Sequence, residues 1–188
     1  MDDGRARAGI LRLVDIRAEN PSDLHAIRAV ELAAFPTAAE ADLVERIRVS
    51  SAFVPNLSLV AESRDVDALG AGSLVVGHIL LSRVAISGDD EPILALAPMA
   101  VTPEHQRQGI GSALVRSALD AAEALEEPLV VVLGHPWFYP RFGFKPASRY
   151  GIYPSDPWPD AAFMAKPLTR WRQSLRGRVT YPPAFDGL

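Results

Sequence analysis

The residues best suited to chemistry lie in Gln106-Arg107-Gln108-Gly109-Ile110-Gly111-Ser112. A polar turn with two glycines sits between an apolar run and an amphipathic one, which describes a strand, a turn and the start of a helix. The first amides of a helix have no intrahelical acceptor and carry the positive end of its dipole, so such a turn can cradle an anion. Glycine is wanted because a side chain would hold the backbone away from the ligand. Gln106 to Ser112 are therefore a candidate anion site. The hexapeptide alone leaves a second reading open, a helix that merely starts close to a sheet. It is not a nucleotide-triphosphate loop, which needs Gly-Lys-Ser/Thr, and it lacks the spacing and following acid of a dinucleotide fingerprint.

The elements that must position this turn can be read around it. Ile93 to Val101 is nearly all apolar, as a strand covered on both faces would be. Pro98 interrupts it, and a central strand does not normally spare the donor that proline lacks, so a bulge or a local parting from one neighbour is expected there. Beyond the turn, Ile110, Ala113, Leu114, Ser117, Ala118, Ala121, Ala122 and Leu125 follow a helical period, with Arg116 and Asp120 on the polar side. Leu129 to Leu133 reads as another buried strand and Phe163 to Leu168 as a later one. Upstream, strands are expected at 11–17, 57–61 and 74–86. A polar loop covers 62–73 and an acidic exposed turn 87–92. Helices are expected near 24–34, after the capping side chains of Asn20 to Asp23, and at 38–49, with Leu43, Val44 and Ile47 inward. A short helix over 137–142 is the last such element. The order describes an α/β (α+β) chain.

Composition narrows the class. The chain has 188 residues, 48% hydrophobic and 22% charged, which suits one soluble globular domain. It has no cysteine, so disulfides, thiolate metal sites and a cysteine nucleophile are excluded. Its four histidines (His25, His78, His105, His135) show no metal-ligand spacing, and no metal is expected. A net charge of −4 argues against nucleic acid as a partner. No run approaches the ~18 apolar residues of a membrane span, and the acidic N-terminus is not a secretory signal, so a cytoplasmic protein with no membrane partner is expected. Residues 1–9 read as a loose leader, 10–168 as the domain and 169–188 as an extension. From Lys166 to Arg178 there are five basic residues and no acid. A solvated tail is the plain expectation, contact with a cofactor phosphate or an acidic substrate the sharper one.

Two motifs in order give the chain a resemblance. Met99-Ala100-Val101-Thr102-Pro103-Glu104-His105, continuing through the glycine turn into its helix, resembles the signature of the GNAT superfamily of acetyl-CoA-dependent N-acetyltransferases. Downstream, Tyr139-Pro140-Arg141-Phe142-Gly143-Phe144 is similar to that family's Tyr-x-x-x-Gly-Phe element. Weaker likeness at Ile16-Arg17…Asp23-Leu24 and Val76-Gly77-His78 extends the resemblance over roughly residues 11–168. The resemblance implies a mixed, mostly antiparallel sheet of six to seven strands, flanked by helices and splayed between the fourth strand (93–101) and the fifth (129–133). It further implies acetyl-CoA as co-substrate in that split, with the backbone of Met99, Ala100 and Val101 along pantetheine and Gln106, Arg107, Gln108, Gly109, Ile110, Gly111 and Ser112 at the pyrophosphate. Relatives that dimerise leave a homodimer open, with the tail as its arm.

Acetyl transfer to an amine requires a neutral amine, a stabilised oxyanion and a protonated leaving thiolate. Backbone N–H groups beside Val101 could supply the oxyanion donor. Tyr139 is the candidate general acid, because a phenol near pKa 10 still holds its proton at neutral pH; the alternative is that it only packs beside Phe138 and Phe142. The fourth strand carries no acid or histidine, so the base is less defined. His135, at the end of the fifth strand, titrates in the useful range. His78, Glu62 and a solvent-relayed base are alternatives, while Asp89, Asp90 and Glu91 are most simply a solvated turn. Arg107 would neutralise phosphate charge. Trp137, Tyr150, Tyr153 and Trp158 could wall an acceptor pocket or simply pack. The activity implied is transfer of acetyl from acetyl-CoA to a primary amine of a small molecule or peptide. The alternative is a catalytically silent acyl-CoA-binding regulatory module, motivated by the missing acid. A purely structural domain is the third.

Overall fold

The computed structural model of the protein describes residues 14–64 and 74–187. Five strands lie side by side in chain order: β1 (Val14–Ala18), β2 (Ser58–Ser63), β3 (Leu74–Ile86), β4 (Asp89–Val101) and β5 (Leu129–Leu133). β6 (Lys145–Pro146), β7 (Ile152–Tyr153), β8 (Phe163–Pro167) and β9 (Gly177–Thr180) complete nine. β8 continues the sheet beyond β5 and carries β6 at its far side, while β9 pairs with β3 at Ala85–Ile86 and with β7. Pairing within the main sheet is antiparallel except between β4 and β5. The sheet is wider than the six to seven strands expected. The additions are β6, β7 and β9, of two, two and four residues, too short for alternation to show in sequence. Part of the first expected strand, Leu11 to Leu13, and the leader before it lie outside the described residues.

Helices cover both faces. α1 (Leu24–Ala34) and α2 (Ala39–Arg48) bury Ile27, Val30, Leu43, Val44 and Ile47 against Val60, Leu80 and Ala100. α3 (Ile110–Ala124) packs on the other face against Ile79, Leu81, Leu94 and Leu96. The buried stripe of α3 is Ile110, Leu114, Val115, Ala118, Leu119 and Ala122, rotated from the expected one: Ala113, Ser117 and Ala121 are half-buried and Leu125 is exposed. Each large aliphatic on that stripe contributes about 1.5–3 kcal/mol by leaving water. Among the described residues no helix is long and apolar enough to cross a membrane.

Two sequence readings are corrected at the sheet's lower end. Ile86 pairs with Asp89, so the hairpin turn is only Ser87-Gly88, with Gly88 at φ +83°, and the acids that follow belong to β4. Asp89 and Glu91 are not solvated turn residues: Arg172 bonds both, at 2.7 Å from Asp89 Oδ2. Nor is the basic segment a free tail. Arg170 lies 4.0 Å from Glu91 and 3.9 Å from Glu126, and Leu175 and Val179 are fully buried. The chain's own acids pair with Arg170 and Arg172.

The feature that positions the site is the parting of β4 from β5. Their register holds only at Leu94↔Val130 and Ala95↔Val131. On the other side of β4, Met99 faces Ile79 and Leu96 faces Leu81, so three residues of β4 span two of β3. The extra residue at Ala97-Pro98 is a β-bulge, as the proline implies. Beyond it β4 runs beside β3 alone.

Candidate active site

The turn after β4 is built to leave amides free. A short turn over Pro103–His105 closes with the His105 amide on Thr102 O (2.9 Å) and the Gln106 amide on Pro103 O (3.3 Å). Gln106 Nε2 donates to Val101 O (3.0 Å) and Gln108 Nε2 to Glu104 O (2.9 Å), tying both side chains back to the turn. Arg107 at φ +61° and Gly109 at φ +94° then reverse the chain into α3, whose first internal bond joins the Ala113 amide to Gly109 O (3.0 Å). Between those bonds lie the amides of Arg107, Gln108, Gly109, Ile110, Gly111 and Ser112. None has a protein acceptor among the described residues. Six consecutive free donors at a helix N-terminus make an anion cradle. It begins at Arg107, because the Gln106 amide is used inside the turn.

The cradle sits against the end of β4. A side-chain carbon on Gly111 would stand 3.6 Å from Met99 Cε, so α3 begins directly over that strand. The Thr102 amide donates to Val76 O (2.9 Å), placing Thr102 in the ladder with β3. Antiparallel alternation then turns the N–H and C=O of Val101 and Met99 the opposite way, into the split, and leaves those of Ala100 to β3. Of the three residues expected along pantetheine, Met99 therefore offers both backbone groups and Val101 its N–H, its carbonyl being held by Gln106, while Ala100 fills the core behind.

Across the split, β5 ends at Leu133 and Tyr139 opens a tight turn over Tyr139–Phe142, shorter than the expected helix. Tyr139 is 6% exposed, edge-on to Phe138 (5.1 Å between centroids) and Phe144 (5.6 Å). Burial pushes its phenol up to about 12, so it holds its proton throughout the neutral range. The ring lies on Gly134, where any side chain would collide with it. The residue is thus tightly packed and keeps its phenolic proton.

The candidate bases are scattered. His135 is exposed, its ring stacked on that of Trp137 at 5.4 Å. Glu62 is on β2, bonded by Arg17 Nε (2.7 Å), two strands from β4. His78 is fully buried opposite Ala100, between Glu31 Oε1 (2.7 Å from Nδ1) and Ser58 Oγ (3.0 Å from Nε2). Ser58 donates onward to Glu19 Oε2, and Arg48 holds Glu19 through Nε (2.8 Å) and Nη2 (2.9 Å). The serine, histidine and glutamate are ordered like a nucleophile triad but have no solvent access, and the serine proton is committed to Glu19. Burial raises the Glu31 carboxyl; at Glu19 the opposing pull of burial is outweighed by bonds from Arg48 and Ser58, and the carboxyl is lowered. Sequence reasoning missed Glu31, although it falls on the inward stripe of α1 with Ile27 and Val30. An acid on an apolar face was the available signal. Of the expected pocket aromatics, Tyr150 and Trp158 pack into the core beneath β9, while Trp137 and Tyr153 stay exposed.

A family model described as an acetyltransferase (GNAT) domain matches residues 58–146. The uncharacterized N-acetyltransferase YjhQ of Escherichia coli K12 is 36% identical over 165 residues, 84% of this chain and 86% of that one. The chain belongs to the GNAT family of acetyltransferases. Another GNAT relative, the uncharacterized N-acetyltransferase YhbS of the same organism, is 32% identical over 91% of this chain and 98% of its own length. The crystal structure of Escherichia coli YhbS in complex with CoA matches with a TM-score of 0.80 and 30% identity, covering 92% of each chain. A GNAT acetyltransferase from Brucella melitensis in complex with acetyl-CoA matches with a TM-score of 0.72 and 31% identity, covering 92% of this chain and 98% of that one. The mixed sheet opening between β4 and β5 is thus the GNAT fold expected from sequence.

Proposed function

We propose that this GNAT protein transfers the acetyl group of acetyl-CoA to a primary amine on a small molecule or peptide. The observation that carries the proposal is the conjunction of six free amides with the adjoining split, beside a turn after β5 whose phenol stays protonated. The amides from Arg107 to Ser112 would take the pyrophosphate, the backbone of Met99 and the N–H of Val101 the pantetheine arm, and Arg107 would neutralise phosphate charge. The amine nitrogen forms its bond to the acetyl carbon as the carbon–sulfur bond breaks. Tyr139 gives its phenolic proton to the departing sulfur, and the nitrogen loses one proton to a base. We assign that base to His135, which follows β5 at the mouth of the split and whose ring is open to solvent. The unit proposed to act spans 10–168, with 169–188 as a C-terminal extension, in the cytoplasm.

A silent acyl-CoA sensor would share the cradle but has no use for a proton donor at the thiol, which favours transfer. Two measurements test this. Acetyl-CoA at 100 times its Kd should stabilise the fold by about 2.7 kcal/mol; no shift would refute the donor. Thiol release across a panel of primary amines should then find an acceptor, and stabilisation without release from any of them would make the protein a sensor. In His135→Ala the acidic limb of kcat/KM against pH should disappear. An unchanged limb removes His135 from the chemistry.

A further inference from the structure

We propose that Arg141 is a phosphate clamp, closing the cofactor cleft from the β5 side and restricting the protein to thioesters that carry the phosphates of CoA. This rests on the acetyl-CoA reading above. Arg141 leaves the turn that also carries Tyr139, yet its guanidinium crosses the split to α3: Nη2 donates to Ser112 Oγ at 3.2 Å. Ser112 bears the last of the six free amides, so a phosphate seated on the cradle lies within reach of that guanidinium. The side chain is already held in place. Nε donates to Phe138 O at 3.2 Å, and the guanidinium carbon lies 4.6 Å from the Phe138 ring centroid and 5.5 Å from that of Phe142. Little rotamer freedom remains to be lost on binding.

Its charge is uncommitted. Among the described residues Arg141 has no carboxylate partner, unlike Arg17, Arg28, Arg48, Arg64, Arg83 and Arg172; of the other arginines without one, Arg46, Arg176 and Arg178 bond backbone carbonyls away from the cradle. Arg116 behaves likewise: it leaves Asp120, four residues on, unpaired, and instead lies 3.4 Å from Ser112 O and 5.5 Å from the Phe142 centroid. Two guanidiniums thus converge on Ser112 in a protein of net charge −4, and an anion is what they lack. A planar fork suits phosphate oxygens bidentately and stacks on an aromatic face, which an ammonium does not do as well. Because Tyr139 and Arg141 occupy one turn, the wall that supplies the proton is the wall that reads the phosphate.

Isothermal titration of the full chain with CoA, dephospho-CoA and pantetheine tests the clamp. Wild type should bind CoA, and Arg141→Ala should weaken it about tenfold or more, the scale of a lost charge-assisted hydrogen bond. Arg141→Lys should recover only part of that. Pantetheine, without phosphates, should bind both proteins alike. A loss on CoA but not on dephospho-CoA assigns the contact to the 3′-phosphate; an equal loss on both assigns it to the pyrophosphate. Wild-type binding of CoA together with Arg141→Ala and Arg141→Lys both within twofold of wild type overturns the clamp alone. Equal weakening of pantetheine would also overturn it, because the effect would then be one of packing. Failure of wild type to bind CoA at all overturns the acetyl-CoA reading, and the clamp with it.

Discussion

Gly134 offers the sharpest test of Tyr139's role, because a small change there acts on the tyrosine alone. Gly134 does not have a positive φ, so alanine meets no backbone strain. Its methyl, however, would stand 2.7 Å from Tyr139 Cδ2 and nearer still to Cε2, inside the 3.0 Å that such contacts essentially never breach. To reach ordinary contact the ring must retreat by roughly 1 Å, and the surrounding Phe138 and Phe144 rings leave it no slack. Overpacking of this kind costs about 1–3 kcal/mol of stability. A misplacement of about 1 Å in a group that must meet a reacting atom can cost ~10²-fold in rate. Gly134→Ala should therefore lower kcat for the best acceptor amine about 100-fold, while affinity for CoA should weaken by no more than in Arg141→Ala, because the free amides lie across the split and only Arg141 shares the displaced turn. Tyr139→Phe should lower kcat on a similar scale. Decisive is the double variant: if Gly134→Ala acts through the phenol, adding it to Tyr139→Phe should change kcat little, a strong non-additivity. Full activity in Gly134→Ala would show that the phenol's position does not matter. Additive losses would show that Gly134 acts by another route.

Three further outcomes follow from the same geometry. Gly109→Ala places a side chain at φ +94°, and should cost about 1–3 kcal/mol, read as a fall in the denaturant midpoint, and weaken CoA by distorting the cradle. Because burial holds the Tyr139 phenol near 12, the activity's dependence on a protonated acid should persist beyond pH 10; in ultraviolet titration of the folded protein, wild type and Tyr139→Phe should show the same phenolate absorbance up to about that pH. Glu31 has a folded pKa above its unfolded one, so its contribution favours the fold below the unfolded value and is lost as pH rises through the folded value. Glu31→Gln should remove that decline from a stability–pH profile, and an unaltered profile would show that the carboxyl does not titrate in this range.

Much of this site was legible in sequence because its logic is local. A glycine turn between an apolar run and an amphipathic one can form only where a strand meets a helix, and the free amides follow from helix geometry itself. Pro98 foretold the bulge for an equally local reason, the missing ladder donor. What escaped sequence reading depends on contacts between distant segments. Arg172 meets Asp89 and Glu91 across some 80 residues, and Arg141 meets Ser112 across 29; no periodicity carries either pairing. β6 and β7, two residues each, exist only because longer strands are there to pair with.

Glu31 marks the boundary between the two kinds of information. Its place on the inward stripe of α1 was readable, and an acid there had to find a partner or stay neutral. Which it does depends on β3 presenting His78 and β2 presenting Ser58 beneath the same helix, a matter of register. The same division separates the two halves of the reaction. The cofactor half rests on backbone amides and one aromatic turn, which a short motif can encode. The amine half would draw on side chains from separate elements, and His135, the base proposed for it, follows the end of a strand with no motif of its own.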